Sequence, residues 1–442
     1  MKESELLRKI RRELPDKGDM EIVAVAGNEL RARFTGKSLQ FQKVSDNFSI
    51  CIRVWRNNRP LVFTVNCLDD LAGAISQAKE LAGGNDFTQS PLATKTGYKK
   101  MEMWDEETAE PELSAVEQHI SPLLKLASNT GTDVAGRFSI QNNILAVVNT
   151  AGVSASCRAT WVGFRSLFQT LDNRGSGLAV SSSRALSTLD SLSPSLEAVA
   201  RCQAATDMRS LVPGEYTVIF EPPAVAQLVD LLAEGLGGQA LANSKTPFLR
   251  LENKYLGANI SLWDDGLDQR GLAMPFDFQG VPKRRINLFR EGVLQNHVWD
   301  HMAAMGTDQE STGHASHPEN SQWPRPAHLF LEPGNAMLDD MIVSTKRGIL
   351  VSRLYKPHIL DPSDLLVGGS IGWGALAIED GMISGAVPGT DFTGNLVDWF
   401  NRVDMVGDTP RADGTIWSGT VVPALRIRGV ELGGSESFDR EG

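Results

Sequence analysis

From Ala224 to Leu236 nearly every position is apolar, and the exceptions Gln227, Asp230 and Glu234 fall three and four residues apart. On a 3.6-residue period these three line up as one narrow polar stripe on an otherwise buried helix. Just upstream, Tyr216–Phe220 is a short β-branched and aromatic run, which predicts a buried strand. Pro222 and Pro223 end that strand and suit a first helical turn, where no backbone donor is needed. Gly237-Gly238 supplies the expected stop. The helix is expected to bury Leu228, Leu231 and Leu232 against a sheet.

Elsewhere the pattern switches between alternation and helical spacing. An amphipathic helix over 4–14 precedes strands at 21–27, 28–36, 38–44, 48–55 and 61–66, with turns at Gly27-Asn28, Gly36-Lys37 and Asn57-Asn58. A helix over 68–82 follows, ending at Gly83-Gly84. Residues 85–111 are polar and rich in turn formers, which marks a boundary. A second helix over 114–127, opened by a capping box at Ser114 and Glu117, leads into strands at 134–143, 144–152 and 153–171. Their turns fall at Asn142-Asn143 and Ala151-Gly152, and a helix over 195–207 returns the chain to the strand–helix pair. Meander plus helix thus occurs twice, which suggests two related layouts.

Beyond Gly238 come a strand near 258–266, a hairpin at Glu291-Gly292 running into a short helix, and a second hairpin at Asp380-Gly381. A helix over 396–402, a strand over 421–430 and a mobile tail over 433–442 complete the chain. Strands in runs with segregated helices predict an α+β fold: antiparallel meander-plus-helix units, then a larger mixed-sheet C-terminal domain. The expected units are 1–105, 106–210 and 211–442.

Composition narrows the function classes. At 442 residues, 41% hydrophobic and 22% charged, the chain reads as soluble and multi-domain. A net charge of −11 argues against a general nucleic-acid or anionic-membrane partner. Cys51, Cys67, Cys157 and Cys202 lie far apart without a C-x-x-C pair, as reduced thiols do. The charged N-terminus and the lack of any apolar run near ~20 residues complete an expectation of a cytoplasmic protein without membrane contact.

Histidines give the sharpest chemical signal. His297 and His301 are four apart on an expected helix, and His314 and His317 are three apart in a loop. Such spacing suits metal ligation. The competing reading is a Gly/Ser/Thr-rich loop that uses its histidines as hydrogen-bonding side chains. Asp230 and Glu234, at i and i+4, either split their pKa values for acid–base work or form a solvated stripe, and the sequence favours the stripe. Gly368, Gly369, Gly372 and Gly374 lack G-x-G-x-x-G spacing, so they suit close approach of an extended peptide rather than a nucleotide.

The segments VIFEPPAVAQLVDLLAEGLGGQAL, REGVLQNHVWD, STGHAS, LFLEPGNAMLDDMIVSTKRGILVSRL, GGSIGWGALAIEDGMISGAV and DFTGNLVDWFNRVDMVGD together resemble the TldD/PmbA family, the modulators of DNA gyrase. That resemblance implies one of two subunit kinds: a zinc peptidase with an H-E-x-x-x-H helix, or a TldE-like partner that lacks it. The motif positions fall on Val229, Asp230 and Glu234, no histidine lies on this helix, and no cysteine follows Cys202 to serve as a thiolate ligand. The resemblance therefore implies a non-catalytic, substrate-presenting subunit with no cofactor of its own. Its expected heterodimer partner is a zinc-bearing TldD-like metallopeptidase, processing small or unfolded peptides such as peptide-antibiotic precursors and antitoxins. The alternative is a stand-alone metal-dependent peptidase using His297, His301, His314 and His317.

Overall fold

The computed structural model describes residues 2–433 except 37, 85–89, 206, 306, 320–322 and 373, with only the backbone at 45 and 46. The expected tail beyond residue 433 and Lys37 of the expected Gly36-Lys37 turn lie outside the described residues. Among the described residues, no helix is long and apolar enough to cross a membrane.

The first sheet holds six antiparallel strands: β1 (Met20–Thr35), β2 (Ser38–Arg56), β3 (Arg59–Val65), β4 (Thr132–Asn149), β5 (Ser154–Thr170) and β6 (Ser176–Ser183). Their spatial order is β3-β2-β1-β4-β5-β6, so two three-strand meanders meet at a β1–β4 seam. Helix α2 (Leu71–Leu81) packs on the first meander, and α1 (Glu3–Glu13) lies across β4 and β5 of the second. The one-turn α3 (Glu106–Ala109), α4 (Leu113–Thr130) and α5 (Leu192–Ala204) accompany the second. The repeated layout is thus present, and both halves share one sheet.

Two expected turns are strand interiors instead. Gly27-Asn28 in β1 lies opposite Asn142-Asn143 in β4, at the centre of the seam. There the turn-forming residues act through their side chains. Asn142 Oδ1 accepts the Asn28 amide at 3.1 Å, and its amide group donates to the carbonyl of Ala109 on α3. Gly27 is required by proximity: a Cβ there would stand 2.0 Å from the Asn142 carbonyl oxygen. The strand pairs expected at 21–27/28–36, 38–44/48–55 and 134–143/144–152 are therefore single long strands. The capping box at Ser114 is also absent, since α4 starts one residue earlier and Ser114 Oγ donates to Glu112.

Long alternating strands give this sheet two distinct faces. Ile22, Ala24, Ile52 and Ala146 pack with Leu6 and Ile10 of α1 and Leu71 and Ile75 of α2. On the same face farther along, Phe34, Phe138 and Phe164 pack with Ile120 and Leu123 of α4 and Ala198 of α5. On the opposite face, Val23, Cys51, Leu145 and Val147 meet Met274, Phe276 and Ile416 of the C-terminal unit. Arg184, just past β6, locks that junction by donating to the carbonyls of Thr160, Leu272, Ala273 and Ile416 at 2.7–3.2 Å.

The C-terminal unit is built on β7 (Gly214–Phe220) and α6 (Pro222–Glu234). Both prolines occupy the first turn as expected, whereas the helix ends at Gly235, and Gly238 opens a further short helix, Gly238–Ala242. β7 sits inside a nine-stranded sheet between Leu425–Leu432, antiparallel to it, and Arg347–Val351, parallel to it. A six-stranded sheet runs Val293–Leu294, Ile286–Arg290, Leu262–Asp264, His328–Leu331, Ser418–Val422, Arg411–Thr415. The parallel pairs make both sheets mixed, which gives the expected α+β fold. Leu228, Val229 and Leu232 of α6 are fully buried among Phe248, Ile260, Leu294 and Trp399, while Leu231 is only partly covered. Both expected hairpins form, with Glu291-Gly292 and Asp380-Gly381 at positive φ in their turns.

Candidate functional site

The polar stripe of α6 faces protein rather than solvent. Gln227 clasps the backbone of Leu354 twice, donating to its carbonyl at 3.2 Å and accepting its amide at 2.9 Å. Asp230 Oδ1 accepts the Thr420 hydroxyl at 2.8 Å. Burial pushes the Asp230 carboxyl up to about 6, against the pull of Thr420 and Arg325. This corrects the solvated reading of the Asp230/Glu234 pair. Only Glu234 is exposed, and it pairs with Arg325 at 2.5 Å.

Arg325 also borders a cavity of about 470 Å³ between the first sheet and the C-terminal unit. Ser49 and Asn143 form one wall, and Lys283, His317, Glu319 and His328 line the other. Behind it lies a fully buried polar cluster. Asp264 accepts the amides of Ala327 and His328 at 2.7 Å each and stands 2.9 Å from His314 Nε2. Against the upward push of burial, His314 and the Lys283 ammonium hold the Asp264 carboxyl well below the usual range. Burial together with the Lys283 ammonium drives His328 down to about 3, so its ring is neutral near pH 7, and neither ring nitrogen has a hydrogen-bond partner among the described residues. Nearby, Asp277 takes the amides of Gln279, Val281 and Ala315 and shapes the loop beneath the cavity.

The four sequence-marked histidines do not converge. The expected HVWDH helix is absent: Asp300 caps a single turn, His301–Ala304, so His297 and His301 share no helical face. His297 is buried beside the backbone of Leu236 and Phe248, and His301 Nε2 meets the Ser90 carbonyl oxygen at 3.1 Å. His314 is held between Thr312 and Asp264. Among the described residues, the group able to hold a metal ion is Cys51, His317 and Glu319, whose ligand atoms lie within 4.8 Å of one another. Cys51 and Glu319 carry no local signature, because Cys51 comes from β2, some 266 residues before His317.

The glycines at 368–374 divide into two kinds. Gly368 and Gly369 lie in Leu366–Ile371, already paired on both sides by Leu354–Asp361 and Thr390–Asn395. Their small size serves internal packing, since a Cβ at Gly369 would reach the Phe392 ring at 2.9 Å. Gly372 approaches the Arg353 carbonyl oxygen, and Gly374, at φ +92°, borders a separate cavity of about 270 Å³ beside Ser176. The neighbouring strand Leu354–Asp361 is a true sheet edge, with Tyr355 and Leu360 exposed.

Residues 213–434 match the family model described as the PmbA/TldA metallopeptidase C-terminal domain. The metalloprotease TldD homolog of Haemophilus influenzae is 27% identical over 188 residues, which is 39% of this chain and 38% of that protein. The TldD homolog of Buchnera aphidicola subsp. Acyrthosiphon pisum is 23% identical over 223 residues, 47% of this chain and 46% of that one. These matches thus span less than half the length of either relative. TldE from Thermococcus kodakarensis has the same fold, with a TM-score of 0.83 at 21% identity, covering 98% of this chain and 99% of that one. With a match spanning half of the sequence and the strand–helix pair at its start, the chain belongs to the PmbA/TldD metallopeptidase family.

Proposed function

We propose that this chain is the non-catalytic, substrate-presenting subunit of a TldD/TldE-type peptidase pair acting on small or unfolded peptides in the cytoplasm. One observation carries the reading: the residues of α6 do not fit zinc. Val229 is fully buried in the core, Asp230 is bonded to Thr420, and Glu234 is committed to Arg325. A zinc peptidase needs nitrogen, sulfur or free carboxylate donors converging on an open position. No hydrolytic step is therefore assigned to this helix, and the metal belongs to a TldD-like partner.

What the chain offers instead is surface. The edge strand Leu354–Asp361, anchored to α6 through Gln227, can accept an extended peptide as an added strand. Gly372 and Gly374 follow the paired strand Leu366–Ile371 and let the chain's own backbone at Arg353 and Ser176 approach closely beside that edge. Gly368 and Gly369 support the same edge from within.

A second reading rests on the Cys51/His317/Glu319 group, which replaces the four-histidine site as the place a stand-alone metallopeptidase would keep its ion. Burial holds the Cys51 thiol above its ordinary value, which opposes the thiolate a metal requires. Elemental analysis of the purified chain separates the two. The expected result is no stoichiometric zinc. One tightly held zinc per chain, lost in His317→Ala, would establish the second reading.

A further inference from the structure

The face of the first sheet that meets the C-terminal unit changes character along its strands. Near Val23 and Val147 it is apolar and covered. Ten residues along β1 it carries a row of arginines. Arg33 of β1 lies directly opposite Arg137 of β4, and Arg137 lies directly opposite Arg165 of β5. Cross-strand neighbours share a face with Cβ atoms about 4.5–5.5 Å apart, and like charges so placed repel. A fourth guanidinium, Arg353, comes from the loop between Arg347–Val351 and Leu354–Asp361, and its charge acts on Arg165.

Among the described residues none of the four guanidinium groups makes an ion pair or hydrogen bond, in contrast to that of Arg31, which is held by Glu29 in the same strand. Asp413 is the carboxylate whose field reaches Arg165 and Arg353, and it pairs with neither. Burial and the neighbouring cations depress the Arg165 guanidinium to about 10. Three of these cations thus form a row across β1, β4 and β5, and Arg353 and Asp413 meet its inner end. Arg33 and Arg137 are exposed, while Arg165 and Arg353 are half-buried at the rim beside Asp413.

We propose that Arg33, Arg137, Arg165 and Arg353 form a carboxylate-binding subsite that holds an acidic side chain or the C-terminal carboxylate of an extended peptide. The site deepens the substrate-presenting role above and rests on it. Guanidinium forks match carboxylates bidentately, and such charge-assisted bonds are about twice as strong as neutral ones. The chemistry favours a peptide over a nucleic acid. Three strands at ~4.8 Å spacing give a row of roughly 10 Å, enough for one or two carboxylates but too short to track a phosphate backbone. The row also ends at Asp413, in a chain of net charge −11, which repels a polyanion. Arg353 directly precedes the edge strand Leu354–Asp361, so a peptide added to that edge passes beside the arginines.

The test measures binding of fluorescein-labelled extended peptides to the full chain at low salt. One probe is neutral and C-terminally amidated, one is neutral with a free C-terminus, and one is amidated with two aspartates. A single-stranded DNA oligonucleotide serves as the competing polyanion. We expect one or both carboxylate-bearing probes to bind about tenfold or more tighter than the neutral amide. That advantage should vanish in the Arg137→Gln/Arg165→Gln double variant and in Arg353→Gln, and the two anionic probes tell which carboxylate is read. The double variant is expected to melt at or above the wild-type temperature, since a repulsive pair has been removed. Equal affinity for charged and neutral probes, an advantage that survives both variants, or an oligonucleotide that outcompetes the acidic peptide would overturn the proposal. Loss of neutral-probe binding alone would sink the strand-addition reading and leave the carboxylate site standing.

Discussion

Asp230 shows how a single side chain is decided by its surroundings. On the helix it occupies a stripe position, and an isolated helix would leave it in water. In the fold, the strand Ser418–Val422 covers it, supplies the Thr420 hydroxyl, and raises its carboxyl to about 6. A raised acid is a group the fold prefers neutral, so its contribution to stability is present below about pH 4 and is lost as pH climbs through 6. Asp230→Asn keeps an acceptor for Thr420 and removes that ionisation. Denaturant titrations should show the variant gaining on wild type by up to about 3 kcal/mol between pH 4.5 and 7.5. A pH-independent difference would show that the carboxyl ionises freely. Periodicity placed Asp230 on the correct face of the helix, but not its cover, because Thr420 lies 190 residues away. Separation along the chain likewise hid Cys51 from His317 and left His328 without a signal.

At the scale of elements, buried patterns were legible and boundaries set by side-chain hydrogen bonding were not. The apolar run of α6 marks a core helix, and Leu232 is fully buried within it. Leu232→Ala should cost ~2–5 kcal/mol, by transfer and by the cavity left behind. Asn142-Asn143 and Gly27-Asn28, by contrast, carry turn composition inside long strands, because β1 and β4 face each other with these residues at their crossing. Turn chemistry describes a backbone left alone, and here a facing strand and the Ala109 carbonyl use the same groups. Packing of α5 on β6 carries a similar hidden demand. A Cβ at Gly177 would stand 1.8 Å from the Ala198 carbonyl oxygen. Gly177→Ala should lift the middle of α5 off the sheet at a cost of ~1–3 kcal/mol, read as a lowered urea midpoint with an unchanged m-value. Wild-type stability in that variant would mean that the helix shifts freely.

At the scale of the whole molecule, the proposed role of holding a chain rests on how the sheets meet. The doubled meander was visible as two similar runs of strands, but their union into one sheet was not, since the β1–β4 pairing joins residues a hundred or more positions apart. That union creates a broad face, partly sealed against the C-terminal unit and partly open beside α6. The polar groups of α6 are held in internal bonds, and the function proposed above accordingly places catalysis in a partner. The most direct measurement is a cleavage assay on an unfolded polypeptide with this chain alone, a TldD-type subunit alone, and the two mixed. The account predicts no cleavage by this chain, weak cleavage by the other, and metal-dependent turnover restored on mixing. Metal-dependent turnover by this chain alone, abolished by His317→Ala, would contradict it.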